Sequence, residues 1–199
     1  MSCRTSFYVL AGSLVALGFS SCTKPTTGPD PAEPGSPAPA GPYYDVRGLL
    51  DGQIQLLDAR HLGVMKQASL HGDAPEQANI PNVKWADELQ IFYQADINKA
   101  ALRGLYALDS ATGPAGTRRP YTLRPGHPKV PVLQLAVTTQ AGQPSQLEAH
   151  IRQNNALFYG AKDLSMRLEH GQLRSYTVSG VQKLVLFDSL RYHTTAKVL

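Results

Sequence analysis

Cysteine is scarce in this chain, and its two cysteines, Cys3 and Cys22, both lie near the start of the 199-residue sequence. Residues 43–199 contain none. A fold built from that stretch has no disulfide, no thiol nucleophile and no Cys-x-x-Cys motif. Its stability must come from one apolar core, which a domain of this length can form by burying roughly 70% of its unfolded surface.

The sequence also lacks the short motifs of common catalytic chemistry. It has no G-x-S-x-G elbow, no phosphate-binding loop and no H-E-x-x-H motif. Its six histidines never occur two or four residues apart, the spacings that place two ligands on one face. We therefore expect no enzymatic activity, no cofactor and no metal site. The best remaining acid–base or metal candidate is His150 with Glu148 on the polar face of a strand, for which an ordinary surface pair is the preferred interpretation.

Long hydrophobic runs are absent as well. The main apolar stretch, residues 7–19, has 13 residues, whereas a membrane-spanning helix needs about 20. Arg4 precedes this stretch, and Ser20 and Ser21 follow it directly before Cys22. A cation, a short apolar run and small residues in this order are typical of a cleaved secretory signal peptide. Residues 1–21 are therefore predicted to be a signal peptide.

The residues Phe19-Ser20-Ser21-Cys22 resemble the lipobox of bacterial lipoproteins. The usual leucine is replaced by Phe19, as in the looser lipoboxes of Bacteroidota, and residues 95–99 are similar to a segment of uncharacterised Bacteroidota lipoproteins. The lipobox resemblance implies cleavage after Ser21, lipidation of Cys22 by a diacylglyceryl thioether and an N-acyl chain, and anchoring at the membrane through these chains. Several acyl chains hold a protein far more firmly than one.

The alternative to lipidation is a plain secreted protein, which would keep Cys22 as an unpaired thiol in an oxidising compartment. Acylation removes that liability. The resemblance implies a cell-envelope location. Thr23 and Lys24 lack the aspartate that retains some lipoproteins at the inner membrane, which favours the outer membrane, facing the periplasm.

Residues 22–42 are predicted to form a tether behind the lipidated cysteine. Seven prolines and several glycines fall between Thr23 and Pro42, a composition that cannot build a packed core. In polyproline II geometry, at about 3.1 Å per residue, this segment reaches roughly 60 Å. The domain is expected to follow it as residues 43–199.

Charge is distributed unevenly along the predicted domain. Residues 43–112 carry 6 basic and 9 acidic side chains, whereas residues 113–199 carry 11 basic and 4 acidic ones, with no acid between Asp109 and Glu148. One interpretation is complementarity between two packed layers, and another is protection of an edge strand by cations. The sharper hypothesis is contact with an anionic partner such as lipid headgroups or a wall polymer. Nucleic acid is not expected. The candidate contact residues are Arg118, Arg119, Arg124 and Lys129.

Hydrophobic periodicity predicts helices first and strands afterwards. Residues 43–60 and 82–93, with Asn82 as N-cap, show helical spacing that resumes over residues 100–108, and residues 64–70 suggest a short strand. Residues 113–131 read as a loop, and from Val132 onward alternating segments between turns predict consecutive hairpins, including a strand over residues 183–187. The expected fold is α+β: N-terminal amphipathic helices packed on one face of a twisted antiparallel β-meander sheet of about six strands.

The expected function is a non-enzymatic binding or chaperone-like role for an apolar or anionic ligand of the cell envelope. A sheet with helices on one face resembles the lipoprotein carrier architecture, a likeness of fold only. Two alternatives remain open: an interaction or structural module that docks a protein partner or wall polymer through its basic loop, and a hydrolase whose site is assembled from distant residues. The oligomeric state is not predicted.

Overall fold

A single antiparallel sheet dominates the computed structural model, which describes residues 42–114 and 116–199. Helical segments from the first half of the chain accompany the sheet, so the predicted α+β class is confirmed. The predicted signal peptide, Cys22 and all of the predicted tether except Pro42 lie outside the described residues.

All ten strands found in the described residues belong to this sheet. Helix α1 spans Val46–Ala59 and α2 spans Trp85–Glu88, with 3-10 helices at Gln90–Ala95 and Ala100–Leu102. The strands are β1 Val64–Leu70, β2 Glu76–Ile80, β3 Tyr106–Leu108, β4 Ala111–Gly113, β5 Gly116–Leu123, β6 Val132–Gln140, β7 Gln143–Asn154, β8 Phe158–Glu169, β9 Gln172–Leu184 and β10 Leu190–Val198. Their order is β2-β1-β10-β9-β8-β7-β6-β5-β3, with β4 also paired to β5. The last strand, β10, therefore pairs with the first strand, β1.

Alternation of apolar and polar residues decides which face of the sheet is buried. Along β7, Leu147, Ala149 and Ile151 are buried, whereas His150 between them is exposed. Successive side chains of a strand point to opposite faces, so this pattern buries one face and leaves the other in water. We call these the inner face and the outer face. The predicted hairpins of this region are confirmed.

The helices lie over the inner face. Leu50 and Leu57 of α1 and Trp85 of α2 are almost fully buried in the same core as the strand residues. Asp45 caps α1 by accepting a hydrogen bond from the Gly48 backbone N–H at 2.9 Å. The indole N–H of Trp85 donates to the Leu62 carbonyl oxygen at 3.0 Å, so this side chain is buried without an unsatisfied donor.

The prediction of about six strands was wrong, because strands with little apolar alternation escaped detection. Residues 113–131, read as a loop, contain β5, of which Tyr121 is the buried residue. Strand β2 has no buried residue at all. Both are strands because they pair with β6 and β1, respectively. Backbone pairing across the sheet therefore decided what local periodicity could not show.

The second helix is also shorter than predicted. Lys84, not Asn82, occupies the N-cap position, and α2 gives way to a 3-10 helix after one turn. The helical pattern expected over residues 100–108 is a 3-10 turn followed by β3. The strand expected over residues 183–187 is wrong too, because β9 ends at Leu184 and a turn follows.

We expect Glu88→Ala to lower the free energy of unfolding by about 1–3 kcal/mol, the cost of leaving buried polar partners unpaired. Glu88 accepts from Lys66 Nζ at 2.6 Å and from the Tyr176 hydroxyl, and so ties α2 to β1 and β9. Thermal melts of the variant measure the loss. Glu169→Ala is the control, because its ion pair with Arg174 is exposed and should contribute little. Equal destabilisation by both variants would contradict the role of Glu88.

Candidate ligand-binding groove on the outer face

Two adjoining depressions on the outer face share His150 and Asp163. The first, of about 270 Å³, is bordered by Arg118, Gln134, Glu148 and Ser165 as well as by the shared pair. The second, of about 400 Å³, adds Leu133, Arg152, Ala161, Ser179, Val181 and Arg191. We call the two depressions together the outer-face groove.

Strand register assembles the polar part of this groove. His150 of β7 lies opposite Asp163 of β8, which in turn lies opposite Ser179 of β9. Directly opposed residues of antiparallel strands have Cβ atoms about 4.5–5.5 Å apart. Residues separated by 13 and 16 positions in the chain therefore form one transverse row, which no short sequence motif could reveal.

One ion pair and one contact between an imidazole and a carboxylate orient the side chains of the first depression. An Arg118 guanidinium nitrogen lies 3.1 Å from a Glu148 carboxylate oxygen, and His150 Nδ1 contacts the carboxylate of Asp163. The His150 and Asp163 side chains are 62% and 59% exposed. Such exposed pairs add little to stability. His150 and Glu148 do share this depression, as the strand pattern predicted, but the partner of the imidazole is Asp163.

The structure separates the four predicted anion contacts. Arg118 borders the first depression, whereas Arg119 follows it on β5 and therefore projects toward the other face. Arg124 and Lys129 lie in the connection between β5 and β6, beyond the opposite end of β5. The four cations do not form one surface, and anion binding by them remains a prediction.

A second transverse row contains two cations that sequence reasoning missed. Arg152 of β7 lies opposite Ala161, Ala161 lies opposite Val181, and Val181 lies opposite Arg191 of β10. Two arginines thus bracket two apolar residues, with the outer strands about 14 Å apart at the usual strand spacing. Within the described residues, neither Arg152 nor Arg191 takes part in an ion pair. The alternating sequence pattern could have placed both arginines on the outer face. It could not show that the strand register aligns them in one row.

Most of the shifted pKa values occur away from this groove, and the exception is Tyr192, which borders the second depression and whose pKa is raised by burial. Burial raises the pKa of Tyr106 to about 12, where its hydroxyl donates to the Val132 carbonyl oxygen at 2.8 Å. Burial also lowers the pKa of Lys162, whose Nζ donates to Gln94 Oε1 at 2.9 Å. Shifted groups mark functional sites when they line a cleft. Tyr106 and Lys162 line neither depression. Their hydrogen bonds join the first half of the chain to the sheet.

Neither a metal centre nor a membrane helix is found among residues 42–114 and 116–199. No three His, Cys, Asp or Glu side chains there have an arrangement that could hold a metal ion. No helix there has both the length and the apolar character needed to cross a bilayer. Comparisons with protein-family models, curated proteins and solved structures find no match to this chain.

Proposed function

We propose that this chain is a lipoprotein of the cell envelope, anchored through lipidated Cys22, whose domain binds an anionic ligand with an apolar part. The binding site is the outer-face groove. The observation that carries the proposal is the row Arg152-Ala161-Val181-Arg191, in which two cations flank an apolar floor. The outer membrane, facing the periplasm, is the location this proposal assigns.

The row suits such a ligand for electrostatic and hydrophobic reasons. Guanidinium groups bind carboxylates and phosphates through two parallel hydrogen bonds. Since Arg152 and Arg191 have no acidic partner among the described residues, binding an anion requires no ion pair to be broken. The apolar side chains of Ala161, Val181 and Leu133 can cover a short hydrocarbon segment. Charge and apolar surface therefore select the same class of amphipathic anion.

The binding role is favoured over the hydrolase alternative by the exposure of the polar groups. His150, Asp163 and Ser165 converge in the first depression, which is the observation in favour of catalysis. Catalytic groups gain most of their effect in a water-excluded site, whereas His150 and Asp163 are both mostly exposed. Within the described chain, no hydrogen bond activates Ser165. Ser179 lies between Asp163 and His193, but the His193 imidazole contacts the Thr195 hydroxyl instead of Ser179. We therefore propose a binding module.

Decyl phosphate is a suitable probe of the groove, because it combines a phosphate with a short alkyl chain. We expect the double variant Arg152→Gln and Arg191→Gln to weaken its binding at least about tenfold, since each charge-assisted hydrogen bond contributes about 1.5–3 kcal/mol. Isothermal titration calorimetry measures the affinity, with decanol and inorganic phosphate testing the two halves of the probe.

Arg167→Gln is the matched control for this experiment. Arg167 is an exposed cation on the outer face of β8 but does not border either depression. Its replacement should leave the affinity unchanged. An equal loss of affinity with Arg167→Gln would show that binding depends only on net charge, and a wild-type protein that does not bind decyl phosphate would refute the proposed ligand class.

A further inference from the structure

Five large apolar side chains protrude from one end of the sheet. They are Leu157, in the β7–β8 connection, and the four consecutive residues Leu184, Val185, Leu186 and Phe187 at the end of β9 and in the turn after it. At least half of each residue is exposed, reaching 89% for Leu186. We call these five residues the apolar tip. Large apolar surfaces that remain exposed usually mark an interaction site.

Backbone hydrogen bonds hold the tip in shape. The Val185 N–H donates to the Leu157 carbonyl oxygen at 3.2 Å, which joins the two connections, and the Phe187 N–H donates to the Leu184 carbonyl oxygen at 3.1 Å. Asn155 Oδ1 accepts from the N–H groups of Leu157 and Phe158 at 2.9 Å each. These hydrogen bonds fix the backbone of the two connections, while the apolar side chains remain exposed.

Several cations surround this end of the sheet. Lys183 precedes the tip on β9, and Arg152 and Arg191 lie in β7 and β10 near the ends of these strands that face the tip. Arg124 and Lys129 belong to the β5–β6 connection, which reaches the same end because the Arg152 N–H donates to the Pro131 carbonyl oxygen at 2.8 Å. The acids at this end include Asp73 and Glu76 in the β1–β2 region, Asp188 in the β9–β10 turn, and Asp45 and Asp96 near Tyr43. An apolar protrusion with basic residues around it is typical of proteins that dip into an anionic bilayer surface.

The tether joins the domain at this same end. Tyr43 packs edge-on against Tyr106 and Tyr121, with ring centroids 5.5 and 5.7 Å away. The hydroxyl of Tyr106 donates to the carbonyl oxygen of Val132, where β6 begins. Asn98 fixes the backbone of Tyr43 by accepting from its N–H at 3.0 Å and donating to its carbonyl oxygen at 3.2 Å. Tyr43, at the start of the domain, therefore lies at the end of the sheet that bears the apolar tip.

We propose that the apolar tip inserts into the boundary between headgroups and acyl chains of the membrane to which Cys22 anchors the protein. The inference rests on the anchoring that forms part of the proposed function. Strand β9 lies four strands from β5, about 19 Å at the usual spacing, so Tyr43 and the tip are close enough to face one bilayer together. Insertion buries apolar side chains that the fold leaves in water, and the surrounding cations then lie at the level of the phosphates. The tip would orient the domain, and its outer-face groove, relative to the lipid surface.

Tryptophan fluorescence can locate the tip relative to the bilayer. The full chain, carrying Leu186→Trp, is reconstituted into vesicles of brominated phosphatidylcholine and phosphatidylglycerol, in which bromine quenches tryptophan at acyl-chain depth. We expect quenching of about twofold relative to unbrominated vesicles, with a blue-shifted emission, because an inserted side chain lies near the brominated chains. Trp85, the native tryptophan, is buried in the core and supplies an unquenched internal reference that also reports intact folding.

Leu199→Trp is the matched control, since Leu199 is an exposed leucine next to Gly63 at the opposite end of the sheet. Its emission should not be quenched. Vesicle flotation separates the two levels of the proposal. A chain that does not float with the vesicles would overturn both the anchoring and the insertion. A chain that floats, but whose Leu186→Trp emission is unquenched or is quenched no more than that of Leu199→Trp, would overturn the insertion alone.

Discussion

Replacing Trp85 with alanine is expected to lower the free energy of unfolding by about 3–5 kcal/mol, the usual range for removing a large buried aromatic side chain. Trp85 is 1% exposed and belongs to the core that joins the helices to the inner face. The substitution removes its packing and leaves the Leu62 carbonyl oxygen without the indole donor. Because surrounding side chains relax only partly, a cavity remains between α2 and the sheet.

Thermal and urea unfolding measure this effect. For a domain of this size, each kcal/mol shifts Tm by about 2–4 °C, so the variant should melt about 6–20 °C lower. Leu108→Ala is the control, because Leu108 is an apolar residue that is 54% exposed and should change stability by less than about 0.5 kcal/mol. If Trp85→Ala melts like the control, the helices do not depend on this residue for packing.

Gln53→Ala is expected to lower the free energy of unfolding by about 2–6 kcal/mol, although it removes only an uncharged side chain. Gln53 is a buried polar residue of α1 whose Nε2 donates to the Gly171 carbonyl oxygen at 2.8 Å. Its Oε1 accepts from the Leu173 N–H at 2.7 Å. The alanine variant leaves both backbone groups of the β8–β9 turn unpaired away from water, at about 1–3 kcal/mol each.

Hydrogen exchange provides a local readout of this prediction. The amide of Leu173 should lose protection in Gln53→Ala, while the amides of β6 and β7 change only with global stability. Gln67→Ala is the control, because Gln67 is exposed and its amide contacts only the Gln77 side chain, at 3.3 Å. If the Leu173 amide keeps its protection from hydrogen exchange in Gln53→Ala, Gln53 does not hold α1 to the β8–β9 turn.

These contacts explain why we place the ligand on the outer face. A second place for an apolar ligand would be the space between the helices and the sheet. In this chain Leu50 and Leu57 of α1 occupy that space with no exposed surface. A ligand there would have to displace these leucines and break the two hydrogen bonds that Gln53 makes with Gly171 and Leu173. The outer-face groove needs no such rearrangement.

Part of the fold was predictable because the periodic spacing of apolar residues along the chain specifies it. The spacing of Leu50 and Leu57 placed α1, and the alternation around Leu147 and Ala149 placed β7 and its buried face. Trp85, within the helical pattern of residues 82–93, is buried in the core. The apolar run over residues 183–187 misled the interpretation, because continuous hydrophobicity usually indicates burial. Its last three residues form the most exposed apolar turn of the described chain instead.

The candidate groove could be predicted only in part. Sequence reasoning found Arg118, Glu148 and His150, but it did not find Arg152 or Arg191 as a pair. Pairing His150 with Asp163 requires knowing how β7 aligns with β8, since a slip of one residue would send each side chain to the other face. That alignment depends on the turns and on core packing along the whole hairpin.

By itself, the sequence determined helix α1, the buried face of the meander and the absence of cysteine from residues 43–199, because each depends on neighbouring residues alone. The lipid anchor at Cys22 also stems from a local motif and stays a prediction. Only the tertiary structure decided that β2 and β5 are strands, that two arginines bracket an apolar floor and that the tip and Tyr43 share one end of the sheet. Each of these depends on register between strands far apart in the chain, which is set by the packing of the complete core.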